Sequence, residues 1–262
     1  VFGLAVRGQE LLPLPAALAL AAAGAATTAL YVRHARRAAH PLLDLTLFRL
    51  PTFRVAVGGG ALFRVGSGAI PFLLPLMLQL GLGLTPFETG MLTFSGAIGA
   101  LLMKFTAAPI VRRFGFRRVL VWNGVLSAAF IAASGLFAYD IPHLWIIAAL
   151  LVGGFVRSLQ FTSLNAMAYA DVPDPAMSRA TSLASVGQQV ALSTGVAVGA
   201  FVLEMLRVGR PHETILPGDF QVAFLVVGLI SLAAVVAFLR LPADAAAEMA
   251  GRSTARKPAA AE

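Results

Sequence analysis

Two arginines lie far from the ends of long apolar stretches in this sequence of 262 residues. Arg64 lies within the stretch 53–79, and Arg157 lies within the stretch 144–169. At the centre of a lipid bilayer such a charge costs at least about 2.5–3.5 kcal/mol, so it needs a partner. The acidic residues all lie in loops or near the ends of apolar stretches. We therefore expect water, an anionic ligand or a carboxylate from helices outside this sequence as partner, with an internal pair or a backbone-carbonyl anchor as the alternative.

Glutamines also occupy apolar stretches. Gln160 follows Arg157 by one helical turn, and Gln188 belongs to a stripe of helical spacing with Thr181 and Ser185. Polar side chains of this kind either form hydrogen bonds to other helices or contact a small molecule, and both interpretations stay open. The resulting candidates for a substrate cavity are Arg64, Gln79, Arg157, Gln160, Gln188 and Gln189.

The residue types that catalysis and metal binding require are missing or scattered. The sequence contains no cysteine, and its four histidines are all predicted to lie in loops. No base is therefore placed to activate Ser67, and the triple glycine 58–60 lacks the lysine and hydroxyl residue of a phosphate-binding loop. The sequence favours a protein that is not an enzyme, with no cofactor and no metal site.

These polar residues must be positioned by helices that cross a membrane. Hydrophobic residues make up 58% of the sequence and charged residues 12%, whereas soluble domains have about 45–50% and about 25%. Several stretches reach the roughly 18 apolar residues that span a bilayer. The sequence thus predicts an all-α polytopic membrane protein of about seven transmembrane helices, covering residues 14–32, 53–79, 87–110, 119–139, 144–169, 180–206 and 220–240.

The distribution of basic residues predicts the orientation in the membrane. Fourteen of the twenty Lys and Arg residues fall on one side, in the segments 33–54, 112–118, 179 and 240–257, and three fall on the other side, at Arg7, Arg207 and Arg210. Because cytoplasmic loops retain positive charge, we assign the first group and the C-terminus to the cytoplasm. The net charge of +8 does not indicate nucleic-acid binding, since the arginines lie in short clusters without interleaved aromatic residues.

The spans and loops divide the chain into four predicted segments. Residues 1–32 form an outer segment and a linker transmembrane helix, residues 33–52 a cytoplasmic loop, residues 53–241 a six-helix bundle and residues 242–262 a disordered cytoplasmic tail. Since the chain opens with Val1, we interpret it as part of a longer polypeptide.

Glycine and proline residues indicate how individual helices pack. The stretch 53–79 contains Gly58-Gly59-Gly60, Gly66, Gly68, Pro71 and Pro75, so we expect it to bend and to line a cavity, with close helix packing as the alternative. In the stretch 180–206, small residues recur every four positions, at Gly187, Ala191, Gly195 and Gly199. This strip is typical of close contact with another helix.

Several motifs, in order, resemble those of the major facilitator superfamily, and within it the fourteen-span drug/proton antiporters of the EmrB/QacA type. Residues 41–54 resemble the cytoplasmic segment before that family's ninth span, and residues 75–90 the end of this span and the following loop. APIVRRFGFRRVL, residues 108–120, is similar to the superfamily's cytoplasmic loop motif and matches it at Arg113, Gly115, Arg117 and Leu120. Residues 178–195 resemble the start of the thirteenth span.

The resemblance implies a fold and a function. Six of the predicted helices would form the C-terminal bundle of a major-facilitator-type transporter, which pairs with an N-terminal six-helix bundle that this sequence lacks. Its implied activity is proton-coupled efflux of drugs or other amphipathic compounds across the bacterial plasma membrane by alternating access. Arg113, Gly115 and Arg117 would then belong to the gating loop.

Two other functions remain as alternatives. An exporter of an anionic metabolite is favoured by the observation that the charges far from the span ends are all positive. A seven-helix membrane receptor without transport activity agrees with the number of helices but not with the basic segment 33–54. In every case the expected partners include the lipid bilayer and a small molecule, and the transporter interpretation adds protons and the N-terminal bundle.

Overall fold

The fold was obtained as a computed structural model, which describes residues 43–138, 141–208 and 215–242 and, before them, residues 24, 26, 27, 29–31 and 33. The chain divides into two units, Val1–Leu45 and Thr46–Glu262. In the first unit the described residues between 24 and 33 are helical, and the amide of Leu43 donates to the hydroxyl of Tyr31. Most of the predicted linker helix and all but the first residue of the predicted tail lie outside the described residues, so the predicted domain boundaries remain predictions.

The second unit contains six helices long and apolar enough to cross a membrane. We label them α1 (Pro51–Gly81), α2 (Pro86–Phe114), α3 (Phe116–Ser134), α4 (His143–Ala168), α5 (Met177–Arg207) and α6 (Pro217–Leu239). Each one overlaps a predicted span, which confirms an all-α membrane architecture. The described residues contain no strand. His143, predicted to lie in a loop, is the first residue of α4.

Helix α1 is the most buried of the six. Its central part, Gly60–Leu76, is α-helical, but the turns Arg54–Gly59 and Met77–Gly81 at its two ends are π-helical. The wide turns lie at the ends of the helix, whereas the part that contains Pro71 and Pro75 is α-helical, so the expected bend stays a prediction. About 67% of its most apolar stretch is buried, against 22–28% for α2, α4 and α5. Helix α1 thus forms the centre of the bundle.

Two close helix pairs hold the bundle together, and glycines make both contacts possible. In the pair of α2 and α4, a Cβ on Gly99 would meet the backbone of Leu151, and one on Gly154 would meet the backbone of Gly96. In the pair of α1 and α5, a Cβ on Gly195 would meet the backbone of Val65. The predicted strip of small residues on α5 is thereby confirmed as a packing surface against α1.

A single residue joins α2 to α3. Gly115 has φ +79° and ψ 155°, a combination that L side chains rarely adopt. Because only Gly115 separates the two helices, α3 already begins at Phe116, three residues before the predicted start. The helix ends at Ser134, where Gly135 follows, so the predicted end at residue 139 was wrong.

Candidate functional site

The Arg64 side chain is buried at the interface of α1 and α4, with 3% of its surface exposed. Its guanidinium donates to the carbonyl of Ala56, 2.9 Å away, and to Oδ1 of Asn165, 3.0 Å away. It also lies 5.9 Å from the ring centroid of Phe161. Among the described residues, Arg64 thus contacts neutral acceptors and an aromatic face, which corresponds to the alternative of an internal anchor.

The carbonyl that Arg64 contacts belongs to the first π-helical turn of α1. A π-helical turn shifts the regular i to i−4 hydrogen bonds and changes which carbonyls find a backbone partner. Arg64, eight residues further along, supplies a donor to Ala56 inside the bundle. The same side chain therefore connects this wide turn of α1 to α4.

Gln160 is completely buried between α3 and α4. Its Oε1 accepts a hydrogen bond from Nδ2 of Asn123 at 2.9 Å, and its Nε2 donates to the carbonyl of Leu120 at 3.1 Å. Asn123 also donates to the carbonyl of Val156 at 2.8 Å. This network joins two helices and leaves the Gln160 amide engaged at both of its polar atoms.

Helices α1 to α4 line a partly open cavity of about 310 Å³. Helix α1 contributes Ile70, Pro71, Leu74 and Pro75, so the expectation that this helix lines a cavity is confirmed. The glycines of α1 have a different role, since a Cβ on Gly66 or Gly68 would meet α6 or α5. The prolines of α1 thus face the cavity, while these glycines permit close packing.

Arg157 of α4 lines this cavity together with three hydroxyl side chains, Thr93 of α2 and Ser127 and Ser134 of α3. The hydroxyl of Ser134 donates to the carbonyl of Phe130 at 2.8 Å, and that of Thr93 donates to the carbonyl of Thr89 at 2.9 Å. The Ser127 hydroxyl is buried without a hydrogen-bond partner. Within the described residues, the half-buried Arg157 forms no hydrogen bond and no ion pair.

The structure does not bring the six candidate residues into one cluster. Of these six, Arg157 lines the cavity, while Arg64 and Gln160 are engaged at helix interfaces. Gln79 is half-buried in the last, π-helical turn of α1. On α5, Gln188 is half-buried and Gln189 is exposed.

Sequence reasoning missed Ser127, although a signal was present. Asn123, Ser127 and Ser134 lie four and seven residues apart on α3, which places them on one face of that helix. All three are buried in the structure. A polar stripe of this kind in an apolar span indicates an interior surface of the bundle.

Helices α2, α4 and α5 leave most of their surface uncovered in the described part of the chain. The exposed side chains of α2 are large and apolar, among them Phe87, Met91, Phe94 and Phe105. Helix α5 also exposes polar side chains, including Ser182, Gln189 and Thr194. Such surfaces suit lipid or another set of helices.

The three gating-loop candidates lie where α2 meets α3. Gly115 forms the turn itself, and the guanidinium of Arg113 lies 5.7 Å from the ring centroid of Phe114. The guanidinium of Arg117 donates to the carbonyl of Leu239 at 3.1 Å. Because the last carbonyls of a helix lack intrahelical donors, Arg117 caps the C-terminal end of α6 and connects it to this turn.

Comparison with known proteins places this arrangement in a family. The sequence profile of the Major Facilitator Superfamily matches residues 56–261. A protein of Pectobacterium atrosepticum with the provisional name multidrug resistance protein MdtD is 36% identical over 249 residues, which is 92% of this chain and 53% of that protein. A protein of the same name from Salmonella paratyphi A is 36% identical over 86% of this chain and 48% of its own length. The chain spans about half the length of these relatives, and it belongs to the major facilitator superfamily.

Proposed function

We propose that this chain works as the C-terminal half of a secondary active transporter that exports drugs or other amphipathic compounds. The observation that carries the proposal is a six-helix bundle of this superfamily whose α2, α4 and α5 remain largely uncovered. The names of the relatives, which refer to multidrug resistance, support the substrate class. Their length, about twice the matched part, supports a second bundle as partner.

The transport mechanism in this proposal is alternating access. Substrate binds near the middle of the membrane between the two bundles, which rock about it. Gln188 and Gln189 on the sparsely covered α5 are the candidate residues for polar substrate contacts, and Gln79 lies at the end of α1. Proton coupling then requires acidic side chains from the partner bundle, because α1 to α6 carry their described acids near the helix ends.

The turn between α2 and α3 is the proposed gate. Arg117 connects this turn to the end of α6. In this proposal, a movement of the start of α3 relative to the end of α6 during the transport cycle breaks or re-forms this hydrogen bond. The basic side chains Arg113 and Arg117 would face the cytoplasm of a bacterial plasma membrane, with the C-terminus on the same side.

Export of an anionic metabolite is the second candidate function. It is favoured by Arg157, a cation in a cavity whose lining includes no described acid. The same assay distinguishes it from the first candidate, because it predicts movement of organic anions and not of cationic dyes.

The test is transport by the protein expressed from its intact gene and reconstituted in proteoliposomes with an imposed pH gradient. We expect the pH gradient to drive cationic dyes across the proteoliposome membrane. Dissipation of the gradient should stop this dye movement. Movement of organic anions alone would select the second candidate. If neither class of compound moves while the protein is folded, as judged by its unfolding transition, the transport proposal fails.

A further inference from the structure

We propose that the cavity between α1, α2, α3 and α4 binds a compact organic monocarboxylate. The carboxylate lies at Arg157 and Ser127, and the apolar body lies against side chains of α1 and α3. Family membership and the proposed export of drugs assign no ligand to this cavity, and the second candidate function names only an anion, whose chemical class this inference specifies. The inference concerns binding, and it does not depend on the direction or the coupling ion of transport.

Arg157 and Ser127 lie at the same end of the cavity. Asn123 of α3 is level with Val156 of α4, because its Nδ2 contacts the Val156 carbonyl at 2.8 Å. Phe130 is level with Gly153, since a Cβ on Gly153 would lie 3.5 Å from the Phe130 Cβ. Ser127 lies between Asn123 and Phe130. It is therefore within one helical turn, about 5.4 Å, of Arg157 along the helix axes.

The free hydrogen-bond donors of the cavity are concentrated at this end. Ser127 is 1% exposed and its hydroxyl has no partner. Arg157 has no hydrogen bond or ion pair with residues 43–138, 141–208 and 215–242. By contrast, the hydroxyls of Ser134 and Thr93 already donate to carbonyls of their own helices. A buried hydroxyl without a partner is unfavourable, so a ligand that accepts from it gains free energy.

The charge of the cavity selects a monovalent anion. No aspartate or glutamate is among its described lining residues, and Arg157 is the cation there. A planar guanidinium matches the two oxygens of a carboxylate and can donate to both. A dianionic phosphate would leave one buried charge without compensation. A carboxylate is therefore the group that this end of the cavity fits best.

The other residues that line the cavity favour a ligand with an apolar organic group over an inorganic ion. Ile70 and Leu74 of α1, Phe130 and Ile131 of α3 and Leu150 of α4 supply apolar surface. The volume of about 310 Å³ is at the lower end of the roughly 300–1,000 Å³ found for small-molecule pockets. The ligand is thus compact and carries an aromatic or a short aliphatic group.

The probe is benzoate. Its binding is measured by calorimetric titration of the protein, which is expressed from its intact gene and purified in detergent. We expect benzoate to bind, and its neutral isostere benzamide to bind at least about tenfold more weakly, because the hydrogen bond to the charged group is lost. Laurate has the same carboxylate on a long chain and should bind more weakly than benzoate. Tighter binding of laurate would assign the cavity to a membrane lipid and overturn the proposal. If chloride displaces benzoate as effectively as benzoate itself does, the site binds an adventitious ion only, and the proposal is overturned.

Three variants test the assigned residues. Arg157→Gln should weaken benzoate binding by at least about tenfold, and Arg157→Lys should have a smaller effect because it retains the charge. Lys104→Gln is the matched control, since Lys104 is an exposed cation of α2 outside the cavity lining, and it should bind benzoate as the unmodified protein does. Unchanged binding in Arg157→Gln would overturn the assignment.

Ser127→Ala tests the site even if the Arg157 variants do not fold. Removal of an unsatisfied buried hydroxyl should leave the unfolding temperature of the ligand-free protein unchanged or raise it. The same substitution should weaken benzoate binding by about fivefold. If Ser127 had a purely structural role, its substitution would lower the unfolding temperature together with the benzoate affinity. An unchanged benzoate affinity in Ser127→Ala would count against the site. Dye transport is measured alongside benzoate binding, so absence of benzoate binding by the unmodified protein with its dye transport intact refutes this inference alone.

Discussion

The guanidinium of Arg64 on α1 donates to Oδ1 of Asn165 on α4 across 3.0 Å in the interior of the bundle. The two residues are far apart in the sequence, and the contact connects the central helix to one of the sparsely covered ones. A cation that is expensive in lipid is thereby held by an amide and a carbonyl.

Asn165→Ala should destabilise the protein by about 1–3 kcal/mol, because it leaves a donor of the buried guanidinium without its acceptor. Unfolding in detergent, followed by circular dichroism, measures the effect. Gln189→Ala is the control, since Gln189 is exposed on α5. If both variants unfold alike, the Arg64–Asn165 hydrogen bond contributes nothing to stability.

Gly195→Ala should also lower stability, by about 1–3 kcal/mol, because its Cβ would approach the Ala69 nitrogen to 2.9 Å and force α1 away from α5. Gly90→Ala is the matched substitution at a helical glycine with no atom within 4 Å, and it should stabilise the protein by about 0.5–1 kcal/mol. Opposite signs in the unfolding temperatures are the expected result. Equal shifts would contradict the close packing of α1 and α5.

Gly115→Ala should cost about 1–3 kcal/mol, because the backbone there has φ +79° and ψ 155°. Gly218→Ala serves as control at a glycine that has a negative φ and open space around it. The unfolding temperature of each variant provides the comparison. A Gly115→Ala protein as stable as the Gly218→Ala protein would rule out this conformation for the turn.

Single cysteines can establish the orientation, since the sequence contains no cysteine. Leu136, exposed between α3 and α4, should react as Leu136→Cys with an impermeant maleimide added to intact cells. Asp174, exposed before α5, should react as Asp174→Cys in inverted membrane vesicles and not in intact cells. The reverse labelling pattern would invert the assignment made from the basic loops.

The elements of this fold were largely predictable because each follows from local composition. Six apolar stretches became six helices, and the small residues of α5 correctly indicated a packing strip. The start of α3 was missed because it depends on the positive φ of Gly115, which no hydropathy pattern records. The π-helical turns of α1 were likewise not predicted, since a hydropathy pattern does not distinguish π-helical from α-helical turns.

The candidate site was predictable only in part, because partners distant in sequence decide what a polar residue does. Arg64 and Arg157 looked alike in the sequence, yet one is engaged by Asn165 and the other lines a cavity. Gln160 is engaged by Asn123, a residue that had not been singled out. The four- and seven-residue spacing of Asn123, Ser127 and Ser134 on α3 contained this information.

The order of the helix pairs has a consequence for biogenesis. The close partner of α1 is α5, and that of α2 is α4, so neither pair is adjacent in the chain. During synthesis α1 therefore enters the membrane before the helix that covers its Gly68 surface exists. A chain interrupted before α5 therefore leaves the Gly68 surface of its central helix without the helix that packs against it.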